Sequence, residues 1–231
     1  NPSRTTDEYN FWITHFITEG GIALKDIRQT VVASVVPQTQ FSIHQCLERM
    51  FGKPPLTVNR ETVAMIHFAV EIDRPEEVGA DRVINALAAW ERLKDEAIII
   101  DFGTATTFDV VSKQGAYCGG VIAPGINLSL EALQKAAAKL PNVAIKKPAR
   151  AVGGNTVEAM QSGIYFGYLG LIERIVSEIR RERAMQGKVL ATGGLAPLFA
   201  AATDLIDALV PDLTIEGLYL FAKKMQEQGW Q

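Results

Sequence analysis

The segment Asp101-Phe102-Gly103-Thr104-Ala105-Thr106-Thr107 follows directly on the apolar run Ile98-Ile99-Ile100, so a carboxylate, a glycine and several hydroxyls stand at the end of a buried strand. Such a grouping suits a polyphosphate held near a cation. Gly103 removes the side chain where backbone must approach an anion, and Thr104, Thr106 and Thr107 offer hydroxyl and N–H donors. Asp101 would then face cations and not phosphate. The same Asp-x-Gly-Thr also suits an ordinary strand-turn-strand hairpin, and the two readings stand side by side. Thr192-Gly193-Gly194 repeats the theme after Lys188 to Ala191, between a strand and a helix, where a turn could touch a nucleotide. Asp81 opens a helical segment after Gly79 and could cap it, while Arg82 beside it could be a solvated helix-surface cation. Asp109, on the strand after the threonines, reads as a surface or turn residue. Cys46 and Cys118 have neither metal-ligand nor disulfide spacing and read as packing residues, and His15, His44 and His67 read as structural.

The elements that must position these groups follow from pattern. Thr5 and Glu8 form a capping-box pair ahead of a helix that ends at Gly20-Gly21. Thr30 to Val36 reads as a strand, Gln38 to Met50 as a helix, Leu56 to Val58 and Phe68 to Ile72 as short strands, and Gly79 to Leu93 as a helix with Val83, Leu87 and Trp90 along one stripe. Ile98 to Ala123, broken at Gln114-Gly115, predicts a three-stranded antiparallel meander. Helices then dominate: Leu128 to Leu140, Thr156 to Arg183, Pro197 to Ala208 and Ile215 to Gln226. Gly163, Gly167 and Gly170 share one face of the second of these, which predicts close helix packing. The charged stretch Glu91 to Glu96 ahead of a new sheet predicts a boundary between a first domain, 1–94, and a second, 95–231.

Composition narrows the function classes. The 231 residues, 48% hydrophobic, suffice for one large or two modest cores. A formal charge of -3 and scattered basic residues leave no electrostatic footprint for nucleic acid, so small-molecule chemistry is expected. The longest apolar run is too short to cross a bilayer, and Asn1-Pro2-Ser3-Arg4 lacks the pattern of a signal peptide, so a cytoplasmic protein is expected.

Taken in order, Gly79-Ala80-Asp81-Arg82, Asp101-Phe102-Gly103-Thr104-Ala105-Thr106, Gly119-Gly120-Val121-Ile122-Ala123-Pro124-Gly125, Asn155-Thr156-Val157-Glu158-Ala159-Met160-Gln161-Ser162-Gly163 and Ala191-Thr192-Gly193-Gly194-Leu195-Ala196 resemble the motifs of the type III pantothenate kinases, of the acetate and sugar kinase, Hsp70 and actin superfamily. The resemblance is nearly chain-long. It implies an α/β fold of two ribonuclease-H-like domains with mixed five-stranded sheets flanked by helices, the second containing the meander with its phosphate turn. It implies a homodimeric cytoplasmic enzyme that phosphorylates pantothenate with ATP to 4′-phosphopantothenate, the first step toward coenzyme A, using Mg²⁺ or a similar divalent ion and a monovalent cation, K⁺ or NH₄⁺.

By the same resemblance Asp81 is the general base that accepts the proton of the pantothenate hydroxyl, and Gly79, Arg82, Ile122 and Thr156 complete the substrate site, the last two arriving from the partner subunit. Gly103, Thr104 and Thr106 meet phosphate, Thr192, Gly193 and Gly194 meet adenosine, and Asp101 positions the cations. Two departures from the family pattern stand out. Ile72 occupies a place where many relatives have a substrate-contacting tyrosine, which predicts rearranged pantothenate contacts. The N-terminal strand with Asp-x-Gly-Asn-Thr is not in the sequence, which begins at the first helix: either residues ahead of Asn1 are omitted or the protein is cut there, and if it is cut, apolar helix faces in the first half lack a sheet, and low stability and little activity are expected. Alternatives from other classes are a catalytically inactive regulatory or accessory protein on the same scaffold, or another small-molecule kinase of the superfamily.

Overall fold

The computed structural model describes residues 4–34, 36–136 and 140–230. The chain divides into two compact units, one of Asn1–Ala69, Asp73–Ile84 and Thr214–Gln231, the other of Val70–Ile72 and Asn85–Leu213.

The first unit is mostly helical. Helix α1 (Thr6–Glu19) starts where the capping box requires: the Glu8 N–H donates to Thr5 Oγ1 at 3.3 Å and the Thr5 N–H to Glu8 Oε2 at 2.7 Å, and Gly20 caps the other end. A two-residue strand β1 (Val31–Val32) leads to α2 (Pro37–Phe51), and β2 (Leu56–Thr57) pairs with β1 in parallel, Val31 opposite Leu56. His44 Nε2 lies 3.1 Å from Thr57 Oγ1, a tie between α2 and β2 in keeping with a structural histidine. A helix that the pattern did not announce, α3 (Arg60–Met65), is set by a reciprocal cap, with the Thr62 N–H on Asn59 Oδ1 and the Asn59 N–H on Thr62 Oγ1. Helix α4 (Ala80–Leu93) begins in this unit, and the helix near the C-terminus, Leu213–Glu227, lies almost wholly in it. Phe11, Phe16 and Phe41 on α1 and α2 remain exposed.

The second unit is built on one mixed sheet of β3 (Ala97–Phe102), β4 (Ala105–Val111), β5 (Tyr117–Pro124), β6 (Lys188–Gly193) and β7 (Ala208–Leu209), in the order β5-β4-β3-β6-β7. The expected meander is present: β3, β4 and β5 are antiparallel neighbours, while β3–β6 and β6–β7 are parallel. The stretch expected as a strand at 68–72 makes a single bridge, Val70 to Tyr117. Because side chains alternate across a strand, Ile98, Ile100, Phe102, Phe108 and Val110 point to one face, where Tyr168, Ile172, Val176 and Ile179 of α6 (Thr156–Arg183) close a core with Phe199. Between β5 and α6 runs α5 (Ile126–Ala136); of the helix expected over 128–140, residues 137–139 lie outside the described residues.

The expected helix over 197–208 is corrected. Only α7 (Ala196–Ala200) forms; the chain then turns, and Asp207 Oδ2 accepts the Val189 N–H at 2.7 Å, pulling residues 208–209 alongside β6 as a strand. The final helix is α8, Leu213–Glu227. Among the described residues Gly163, Gly167 and Gly170 do not show the expected close helix packing, since a Cβ built on any of them meets nothing within 4 Å. Among the described residues no helix is long and apolar enough to cross a membrane.

Candidate active site

Register across the sheet aligns a row of residues on the face opposite the α6 core. Ile122 on β5 pairs with Thr107 on β4, Thr107 with Asp101 on β3, and Asp101 with Thr192 on β6. All four point to the same side, because cross-strand partners share a face. Asp101 stands in the middle of the row, partly exposed, and its Oδ2 accepts the Asn85 Nδ2 hydrogen at 3.1 Å. Asn85 was not singled out from sequence; the available signal was an amide inside the apolar run Val83-Ile84-Asn85-Ala86-Leu87. Thr192 is buried and donates its hydroxyl to the Pro211 carbonyl at 3.2 Å.

The turn beyond Asp101 is open. Gly103 and Thr104 are exposed, and the Gly103 N–H closes back on Ala105 O at 3.1 Å. From below, the turn is held by the Pro124-Gly125 corner that ends β5. A Cβ on Gly125 would stand 2.8 Å from Thr104 C and 2.9 Å from Gly103 O, and closer still to the Thr104 carbonyl oxygen, so glycine is required for the backbones to approach. Gly193, in the row next to Asp101 and Thr192, is left-handed with φ 91° and lies against Phe102, which excludes a side chain there on both counts. Gly194 is exposed beside it.

Thr106 stands differently from Thr104. It belongs to the α6 face and is wholly buried, its hydroxyl paired with Tyr168 OH. Since the Tyr168 hydroxyl hydrogen goes to the Pro124 carbonyl at 3.2 Å, Thr106 is the donor in that pair. Tyr168 thereby links β4, β5 and α6 directly behind the turn, and burial pushes its phenol pKa up, partly offset by the Thr106 contact. Asp109, expected at the surface or in a turn, is corrected: it is fully buried on β4, accepting hydrogens from Tyr117 OH at 3.0 Å and Thr107 Oγ1 at 2.9 Å.

Ile122 is 63% exposed on the edge strand β5. Ile72 packs near Gly119, 3.5 Å from where a Cβ would be. Thr156 opens α6, exposed, just after the cap Asn155; nearby, the Gly154 N–H and Arg150 hold the Glu158 carboxyl below its ordinary pKa. In the first unit, Asp81 is the second residue of α4, partly exposed, and its Oδ1 accepts the Arg82 N–H at 2.8 Å.

Among the described residues no group of three or more His, Cys, Asp or Glu could hold a metal ion. A cation at Asp101 would meet one carboxylate and complete its shell with water and ligand oxygens. That donor set fits Mg²⁺, which binds few carboxylates and keeps several waters.

The profile of the family described as type III pantothenate kinase matches residues 1–178. A type III pantothenate kinase of Rhodospirillum rubrum is 50% identical over 226 residues, covering 98% of this chain and 88% of that protein. One from Paramagnetospirillum magneticum is 54% identical over 215 residues, covering 93% and 82%. Among solved structures, one described as a Baf family transcriptional activator from Campylobacter jejuni superposes with a TM-score of 0.59 at 20% identity, covering 88% of this chain and 87% of that one, a likeness of fold.

Proposed function

This chain belongs to the type III pantothenate kinase family and phosphorylates pantothenate with ATP in the first step of coenzyme A biosynthesis, and we propose that Asp101, Gly103 and Thr104 receive the triphosphate while Asp81 serves the acceptor alcohol. The observation that carries this reading is the row Ile122–Thr107–Asp101–Thr192 with an exposed glycine-threonine turn just beyond Asp101 at the β3–β4 end.

In the proposed reaction Asp81 accepts the proton of the pantothenate primary hydroxyl as that oxygen bonds to the γ-phosphorus and the bond to the ADP oxygen breaks. An ordinary carboxylate suffices, because phosphoryl transfer depends on alignment and charge neutralisation more than on a strong base. Gly79 and Arg82 flank the substrate, Arg82 as a cationic anchor. Exposed Thr104 offers the phosphates its N–H and its hydroxyl, and Gly103, whose own N–H is held by Ala105 O, leaves room for them to approach. Thr106, with its hydroxyl held by Tyr168, contributes through backbone and by fixing the turn. Thr192, Gly193 and Gly194 form the nucleoside end, where the glycines leave backbone accessible. Asp101 would hold Mg²⁺, which when bound neutralises charge on the phosphate oxygens, and would help to place a monovalent cation, K⁺ or NH₄⁺.

A homodimer is part of the proposal. Exposed Val121 and Ile122 on an edge strand, with exposed Val157 beside Thr156, are apolar surface of the kind that a subunit partner covers, and the partner's copies of Ile122 and Thr156 would then reach the pantothenate. The cytoplasm is the proposed compartment, where ATP and pantothenate meet. The roles are tested by steady-state pantothenate phosphorylation. Asp81→Asn should lower kcat by about 10²–10⁴-fold with a small change in KM for ATP, and a variant within threefold of the parent would remove Asp81 as the base.

A further inference from the structure

We infer that the adenine base of ATP seats in the cavity between α5 and residues 142–145, where Glu131 accepts a hydrogen from its exocyclic amino group; this rests on the reading of Thr192, Gly193 and Gly194 as the nucleoside end. The cavity has a volume of about 370 Å³, ample for a two-ring base. Its place follows from the chain. Leu195, which lines it, comes directly after Gly194, and α5, which supplies another wall, starts at Ile126 directly after Gly125, the residue packed against the Gly103–Thr104 turn. A nucleotide with its phosphates at that turn and its sugar at Gly193 and Gly194 has this cavity beside both anchors.

The lining selects a base over the other parts of the two substrates. The floor is apolar: Leu130 and Val143 are buried and pack with Met160 in a small core of their own, and Leu195 adds to the same cavity wall. The polar groups are Asn127, Glu131, Gln134 and Asn142, and among the described residues no lysine, arginine or histidine lines the cavity. A phosphate or the pantothenate carboxylate would meet Glu131 with no cation to offset it. A neutral, flat group that hydrogen-bonds at its edge and lies on an apolar face suffers no such penalty.

Hydrogen-bond accounting identifies the edge. The Pro141 carbonyl can only accept, so the Gln134 atom facing it at 3.4 Å is the Nε2 donor, and the same Nε2 donates to Asn142 Oδ1 at 3.1 Å. Asn142 is thereby held by its oxygen, and its Nδ2 is left to donate to a ligand. Glu131, exposed on α5, has no hydrogen bond or ion pair among the described residues. A carboxylate that can only accept, on the same cavity as an amide N–H, complements adenine, which carries an amino donor beside a ring-nitrogen acceptor.

The test is the dissociation constant of ATP, of purine riboside 5′-triphosphate, which lacks the amino group, and of tripolyphosphate, each with Mg²⁺, by isothermal titration calorimetry on the parent, Glu131→Ala and Gly194→Val. Alanine is the stronger helix former at an exposed position inside α5, so Glu131→Ala keeps its fold. A Cβ on Gly194 meets nothing within 4 Å, so the valine has room and stands where a nucleoside would lie. The parent should bind ATP about tenfold more tightly than the riboside triphosphate, the worth of a hydrogen bond to a charged group. Glu131→Ala should bring that preference to within threefold of unity and leave tripolyphosphate binding unchanged. If Gly194→Val weakens ATP by more than threefold while the parent shows no preference, or Glu131→Ala retains it, the base lies elsewhere: the inference is overturned and the nucleoside reading stands. If Glu131→Ala weakens tripolyphosphate as much as ATP, Glu131 does not read the base and the inference is again overturned. If Gly194→Val binds ATP like the parent, the nucleoside reading has failed and takes this inference with it.

Discussion

Replacing Gly125 by alanine puts the proposed phosphate turn under direct load. The new methyl carbon would lie 2.8 Å from Thr104 C, 2.9 Å from Gly103 O and nearer still to Thr104 O, where ordinary contact begins at 3.4 Å. Relief requires the turn or the β5 end to shift by on the order of 1 Å, a displacement that in a positioned site costs about 10²-fold in rate. The corner cannot yield freely, because Pro124 O is tied to Tyr168 OH, which is itself bound to Thr106. We expect kcat/KM for ATP to fall about 100-fold, equivalent to about 2.7 kcal/mol in the transition state, and the overpacking to lower folding stability by about 1–3 kcal/mol. Initial rates against ATP and pantothenate, with thermal unfolding on the same samples, separate the two effects. A Gly125→Ala enzyme that keeps kcat/KM for ATP within threefold would show that the turn at Gly103 and Thr104 does not hold the phosphates.

Two further changes read the packing directly. Tyr165 is 1% exposed and its hydroxyl has no hydrogen-bond partner among the described residues, so Tyr165→Phe should leave stability unchanged or raise it by about 1 kcal/mol in urea unfolding, and a clear loss would reveal a partner for that hydroxyl. Gly167 faces open space on α6, so Gly167→Ala should raise the midpoint of thermal unfolding through a gain of up to about 1 kcal/mol in helix propensity, whereas a fall would mean that the face is covered when the enzyme assembles.

How much of this was legible depended on whether the cause was local. Helix α1 was readable because Thr5 and Glu8 satisfy each other's backbone within four residues, and the meander because Ile98 to Ala123 alternates around the turn at Gln114-Gly115. The stretch after Ala196 was not, because Asp207 bonds to a backbone N–H on β6, a tertiary contact that overrides helix propensity. The short cap Asn59–Thr62 was local but went unrecognised between two β-like segments. Thr106 shows a different gap. The alternation of Thr106, Phe108 and Val110 already assigned it to the core face, yet proximity in sequence grouped it with Gly103 and Thr104. Asn85 carried only the signal of an amide inside an apolar run, and its partner lies sixteen residues away on another element.

Asp101 and Asp109 show why position within one sheet, and not residue type, separates structure from chemistry. Both sit on the same face of neighbouring strands, Asp109 opposite Ile99 and Asp101 opposite Thr107. Asp109 is wholly buried and takes hydrogens from Tyr117 and Thr107; hydrogen bonds to a charged group contribute about 1.5–3 kcal/mol each, so a cation arriving there would have to displace contacts already made. Asp101, one pair from the open end, is partly exposed and accepts the Asn85 amide hydrogen at 3.1 Å. A carboxylate therefore fixes the meander from inside in one place and stands near its rim in the other. That division explains why the glycine-threonine turn, carried on a sheet buried on its α6 face, can be exposed without being loose.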